Sequence, residues 1–264
     1  MTTQEPYVPP PSLFLALSEA HRAALEMVLL GVSRRALKKI SPRGDGHAVM
    51  VLPGFMGGDG YNSTFRRFLG GLDYAVHGWG LGRNLGPREG VLEALQSRLH
   101  DLAERYEGPV SLVGHSLGGI FARELAREHP DKVRQVISLG SPFGEGRMTA
   151  SIPARLFTAL NPPDQLPIDQ DVLSHAPPVP TTAIYSKYDG IVNWRTTNQQ
   201  QGHATSQSIE VRSSHCGMTF NPAVWLLVAE CLANDPEHWQ PFERASWRSL
   251  VYPDVQLSPN ASKH

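Results

Sequence analysis

With 264 residues, 41% of them hydrophobic and 19% charged, the chain is long enough to bury a full core and has the balance of an ordinary soluble, single-domain protein. A formal net charge of -1 excludes the global basic excess that draws a protein to nucleic acid or an anionic membrane. Two cysteines, Cys216 and Cys231, argue against a disulfide scaffold and are read as thiols, with a single bridge between them as the alternative.

The first ten residues carry no Lys or Arg, and the apolar segment Leu13 to Leu17 is too short for a signal-peptide core, so a cytoplasmic location is expected. Met27 to Val32 falls far short of a membrane span, and no transmembrane segment is expected. After Pro9-Pro10-Pro11, residues 12–40 show helical spacing of apolar and polar residues until Ser41-Pro-Arg-Gly-Asp-Gly46 breaks it; one or two helices and a turn are predicted over 1–46. Strands are then predicted at 48–52, 74–77, 110–113, 133–139, 182–185 and 208–211, with helices at 61–70, 89–106, after Ser116 and at 222–232. This alternation predicts an α/β fold, a mainly parallel sheet covered by helices on both faces. Residues 143–180 interrupt the alternation with a Pro-rich insertion holding the apolar piece Met148 to Leu160, placed where a lid would sit. In the carboxyl-terminal extension, 234–264, Trp239, Trp247 and Tyr252 are expected to anchor it to the body, and 257–264 to be a frayed polar tail.

The chemistry concentrates at Gly114-His-Ser-Leu-Gly118, between the apolar run Pro109–Val113 and a helix-like stretch. A strand, a sharp turn and a helix around Gly-x-Ser-x-Gly hold the serine strained above the carboxyl edge of the sheet, making Ser116 a candidate nucleophile. A serine hydroxyl needs a base and an orienting carboxylate. Asp189 follows the strand at 182–185, and His215 follows the next one, in the chain order expected for this scaffold. The backbone NH of Leu117 and that of Phe55, in the loop Leu52-Pro-Gly-Phe-Met-Gly-Gly58, are the candidate oxyanion donors, with Met56 as the alternative to Phe55. That loop lacks the Lys and spacing of a phosphate-binding loop.

Pro-Gly-Phe-Met-Gly-Gly at 53–58, Gly-His-Ser-Leu-Gly-Gly at 114–119, Gly-Ser-Pro at 140–142, Ser-Lys-Tyr-Asp-Gly-Ile-Val at 186–192 and Ser-His-Cys-Gly-Met at 214–218 resemble the α/β-hydrolase superfamily, and within it bacterial lipase- and esterase-like members. The resemblance implies an acyl-ester hydrolase, a serine esterase with catalytic Ser116, Asp189 and His215, an oxyanion hole at Phe55 and Leu117, and neither metal nor organic cofactor. Two features depart from the pattern. Pro53 stands where many members have His, and a helical segment replaces the usual first two strands, which implies a sheet of about six strands.

Met56, Phe143, Met148, Leu156, Phe157 and Met218 are the candidate substrate-binding residues, giving a pocket for an ester with an apolar acyl or alcohol part, or a lipid-like substrate. Asp164, Asp169 and Asp171 are alternatives for the acid, although they sit in the insertion. His115 is read as packing, and Cys216 as a small buried residue. Acyl transfer by the same triad and a low-turnover binding module on the same scaffold are the rival functions.

Overall fold

Period-two alternation along the strands sorts the core into two layers. In β1 (Ala48–Leu52) every residue is buried: Val49 and Val51 face one layer, while Ala48, Met50 and Leu52 face the other. Runs that are apolar at consecutive positions are what a parallel sheet covered on both faces requires. The computed structural model describes residues 7–147, 149–161, 172–199 and 202–257.

The sheet continues with β2 (Ala75–Gly78), β3 (Val110–His115), β4 (Val133–Leu139), β5 (Thr181–Tyr185), β6 (Ser206–Glu210) and β7 (Val255–Leu257), in the order β2-β1-β3-β4-β5-β6-β7. All neighbours are parallel except β6 and β7. The helices are α1 (Leu13–Ile40), α2 (Ser63–Gly70), α3 (Val91–Arg105), α4 (Leu117–Glu128), α5 (Ala154–Leu160), α6 (Pro222–Leu232) and α7 (Arg248–Val251). One layer gathers α2, α6 and the inner side of α1 around Phe65, Phe68 and Trp225, with the Phe68 and Trp225 ring centroids 4.7 Å apart. The other gathers α3 and α4 around Leu95, Leu99, Phe121 and Leu125.

The chain runs from β1 outward to β2 and returns past β1 to β3. That reversal opens a crevice beyond the carboxyl ends of β1 and β3, the place where open α/β sheets bind ligands.

Among the described residues seven strands, and not about six, form the sheet. The additional one is β7, whose Val255 pairs with Ile209 inside a segment read as extension and tail. Three residues have too little pattern of their own to announce a strand. Within the extension Tyr252 is fully buried and donates its hydroxyl to the Ala223 carbonyl at 2.9 Å, whereas Trp247 is exposed. At the amino end one continuous helix, α1, fills 13–40, its first turn capped by Ser12.

The described parts of the insertion are pinned to the body. Ser151 bridges to Val192, and Asn161 donates to the Leu85 carbonyl at 3.0 Å. Farther on, the buried Arg123 of α4 donates to the His175 carbonyl at 2.7 Å. Met148, Asp164, Asp169 and Asp171 lie outside the described residues, as does the side chain of Leu156.

Candidate active site

Between the end of β3 at His115 and the start of α4 at Leu117, one residue makes the turn. Ser116 adopts φ 51° and ψ -121°, a region that side-chain-bearing residues enter only when their surroundings force them. The forcing groups are identifiable. The Ser116 NH donates to the Leu139 carbonyl at 2.8 Å, and its carbonyl accepts the Gly119 NH at 3.0 Å. Beside it, a Cβ on Gly118 would overlap the Leu52 carbonyl and stand 2.7 Å from the Pro53 oxygen. Strand, turn and helix approach each other at backbone distance, which only glycine permits.

Asp189 occupies the turn after β5. Its Oδ1 accepts the NH groups of Ile191 at 2.8 Å and Val192 at 2.7 Å, while its Oδ2 accepts the His215 Nδ1 proton at 2.6 Å. Both side chains are buried. Burial acts to lower the His215 pKa, but the Asp189 charge and hydrogen bond, with the Glu19 charge, outweigh it and leave the imidazole raised above its ordinary value. With its proton held on Nδ1, neutral His215 keeps the Nε2 lone pair free.

Ser116 and His215 line the same cavity, of about 390 Å³, together with Gly54, Phe55, Met56, Tyr61, Pro153 and Ile191. Among the described residues no hydrogen bond joins Ser116 to His215; such contacts often tighten only when substrate is bound. The loop after β1 abuts the turn, since a Cβ on Gly54 would lie 3.1 Å from Ser116 Cβ. In that loop the Met56 NH is already donated to the Asn84 carbonyl at 2.7 Å. Asn84 is buried and also ties the loop down by donating its side-chain amide to the Pro53 carbonyl at 2.8 Å. Of the two NH groups considered in this loop, the one at Phe55 is therefore left without a protein acceptor among the described residues.

The residues around this site that sequence reasoning missed come chiefly from α1. Glu19 accepts the Cys216 NH at 2.8 Å on one oxygen and the Gly190 NH at 3.1 Å on the other, so one carboxylate spans the loop bearing Asp189 and the loop bearing His215. Glu26 accepts the Ser214 NH at 2.7 Å and the Ser213 hydroxyl at 3.0 Å. Burial raises the Glu26 pKa, and the nearby Glu19 charge adds to that rise. The available sequence signal was two acids seven residues apart, hence on one face of the predicted helix. Asn84 was visible only as an asparagine in a glycine-bounded loop, Gly82-Arg-Asn-Leu-Gly86.

His115 packs as a connector. Its Nε2 proton goes to the His215 carbonyl at 3.0 Å, and burial together with the neighbouring His215 lowers its pKa to about 3, so it is neutral near pH 7.

Of the apolar candidates, Met56 lines the cavity, and Phe157 reaches its wall through an edge-on contact with Phe55, ring centroids 5.5 Å apart. Phe143 and Met218 do not line it. Phe143 is fully buried with the Arg123 guanidinium 3.7 Å from its ring centroid, and Met218 lies in the core layer of α6. Being apolar and near the turn in sequence did not determine which side of the backbone each side chain would take. Cys216 is exposed, and both cysteines are free thiols. Its backbone is held by Glu19 while the residue borders the cavity.

The sequence profile of the alpha/beta hydrolase fold matches residues 106–167. Among solved structures, the chain is similar to the Aspergillus fumigatus lipase B, at 18% identity and a TM-score of 0.53, over 76% of this chain and 57% of that one. It thus spans less than two thirds of that lipase. It is also similar to a pyrethroid hydrolase, PytH, at 18% identity and 0.51 over 73% and 99%, and to a structure of the metagenome-derived lipolytic enzymes LipS and LipT, at 16% and 0.56 over 74% and 95%. At these identities the likeness is one of fold. No curated protein matches the sequence.

Proposed function

We propose that this chain, which has the fold of the α/β hydrolases, is a serine carboxylester hydrolase acting through an acyl-enzyme. The observation that supports the reading is a single cavity lined by both the strained Ser116 and the Asp189-paired His215.

In this mechanism His215 Nε2 takes the Ser116 hydroxyl proton as Oγ bonds to the ester carbonyl carbon. The carbonyl oxygen becomes an oxyanion, for which the backbone NH groups of Phe55 and Leu117 are the proposed donors. Collapse breaks the bond to the alcohol oxygen, and the imidazolium returns its proton to the departing alcohol. Water then repeats the sequence on the acyl-enzyme, releasing the acid and restoring Ser116. Asp189 holds the Nδ1 tautomer and offsets the positive charge that His215 acquires. Phe55, Met56, Pro153 and Ile191 in the cavity wall favour an apolar acyl or alcohol part, and the lipolytic neighbours agree with that choice of substrate class.

Intact-mass spectrometry after exposure to a fluorophosphonate tests the proposal, alongside turnover of aryl esters with short to long acyl chains. One adduct per chain and ester turnover are expected. Absence of both would remove the esterase reading.

Glu19 gives a second test. A glutamine there keeps the shape but removes a negative charge that raises the His215 pKa. Activity requires neutral His215 and is lost as pH falls through that pKa. Glu19→Gln is therefore expected to move the acidic limb of the kcat/KM profile to lower pH, and to cost about 1–3 kcal/mol of stability in denaturant unfolding through a poorly satisfied NH. An unmoved limb would make Glu19 purely structural.

A further inference from the structure

Toward the body, α1 buries Glu19, Glu26, Leu30 and Leu37. Its opposite side carries Phe14, Leu17, Leu25, Val28 and Val32, which are 78%, 72%, 59%, 64% and 78% exposed, with the exposed His21 between Leu17 and Leu25 in the same three- and four-residue progression. An exposed stripe in which five of six positions are large apolar side chains is not how a solvated surface is built.

The charges on the helix are segregated as well. The acids of residues 13–40 are Glu19 and Glu26 alone, and both point inward to the site loops. At the carboxyl end stand Arg34, Arg35, Lys38 and Lys39, all exposed, and Arg35 and Lys39 continue the apolar stripe by the same three- and four-residue steps. The outer face is therefore apolar along most of its length, cationic at one end and free of the helix's own carboxylates, although the whole chain has a net charge of -1.

We propose that this face docks the protein on an anionic lipid surface, with the apolar stripe entering the boundary between headgroups and acyl chains and Arg35 and Lys39 on the lipid phosphates. Charge selects this occupant over a second copy of the chain. A second α1 would bring more cations and no carboxylate to meet them. The placement also suits the cavity, because the amino-terminal half of α1 contacts Gly190 and Cys216, next to Ile191 in the cavity wall. Docking is a binding property and does not depend on the esterase reading.

Co-sedimentation of the full chain with phosphatidylcholine vesicles, with and without phosphatidylglycerol, tests it. Binding to the phosphatidylglycerol vesicles is expected, weakening as salt is added. It should fall by roughly tenfold or more in Leu17→Glu/Val28→Glu and in Arg35→Glu/Lys39→Glu. These positions are exposed, so an unchanged circular dichroism spectrum and unchanged turnover of a soluble aryl ester are expected alongside. No binding, binding that the variants leave intact, or equal binding to neutral vesicles would overturn the proposal. A concentration-dependent dimer in light scattering that Leu17→Glu/Val28→Glu dissociates, with no vesicle binding, would assign the face to a second copy instead.

Discussion

Ser116→Ala is expected to lower aryl-ester turnover by a factor on the order of 10⁴ to 10⁶ and to abolish the fluorophosphonate adduct, while the unfolding midpoint stays close to that of the parent. The kinetic effect is large because, in the proposed mechanism, Oγ forms the covalent bond to the acyl group. The stability effect is small because the tight turn is made by backbone groups: the Ser116 NH on the Leu139 carbonyl and the Gly119 NH on the Ser116 carbonyl. Alanine retains both, together with the same positive φ. Unchanged turnover in the variant would remove Ser116 as the nucleophile.

Asp189→Asn is expected to cost about 10³ to 10⁴ in kcat, and the surrounding hydrogen bonds specify why. Oδ1 is held by two donors, the NH groups of Ile191 and Val192. An asparagine must keep its carbonyl oxygen there, since its amide nitrogen would face two NH groups. That forces the NH2 toward His215 Nδ1, which then has to accept, so the imidazole proton moves to Nε2 and the atom facing the cavity can no longer remove a proton from Ser116. The check is kcat together with the ring-nitrogen chemical shifts of His215, which report the tautomer. Near-normal kcat with the Nε2–H tautomer present would contradict the assignment of His215 as base.

Much of the scaffold was legible because each strand was decided by its own residues. β1 begins and ends with an unbroken apolar run, β4 and α6 are mainly apolar segments that match their predicted bounds, and the Ser116 turn announced itself through glycines whose Cβ atoms would have no room. What could not be read depends on partners distant in sequence. β7 exists through its pairing with β6. Helical spacing identified α1 but could not say that its two acids would face inward to carbonyl-edge loops and its apolar side outward. The type of Phe143 and Met218 was informative about burial and silent about location: Phe143 lies against the Arg123 guanidinium and Met218 in the core layer beside α6, where neither lines the cavity.

The Glu19 carboxylate reaches Gly190 across 171 positions and Cys216 across 197. Such long-range closures form late, because the chain entropy they remove must be spent before the contact can be made. During synthesis α1 must therefore wait until Gly190 and Cys216 have emerged before Glu19 can find both loops. The order of emergence thus delays assembly: a nascent chain can acquire much of its sheet well before it holds Asp189 and His215 in register, and the candidate site closes only after the loop bearing His215 has been made.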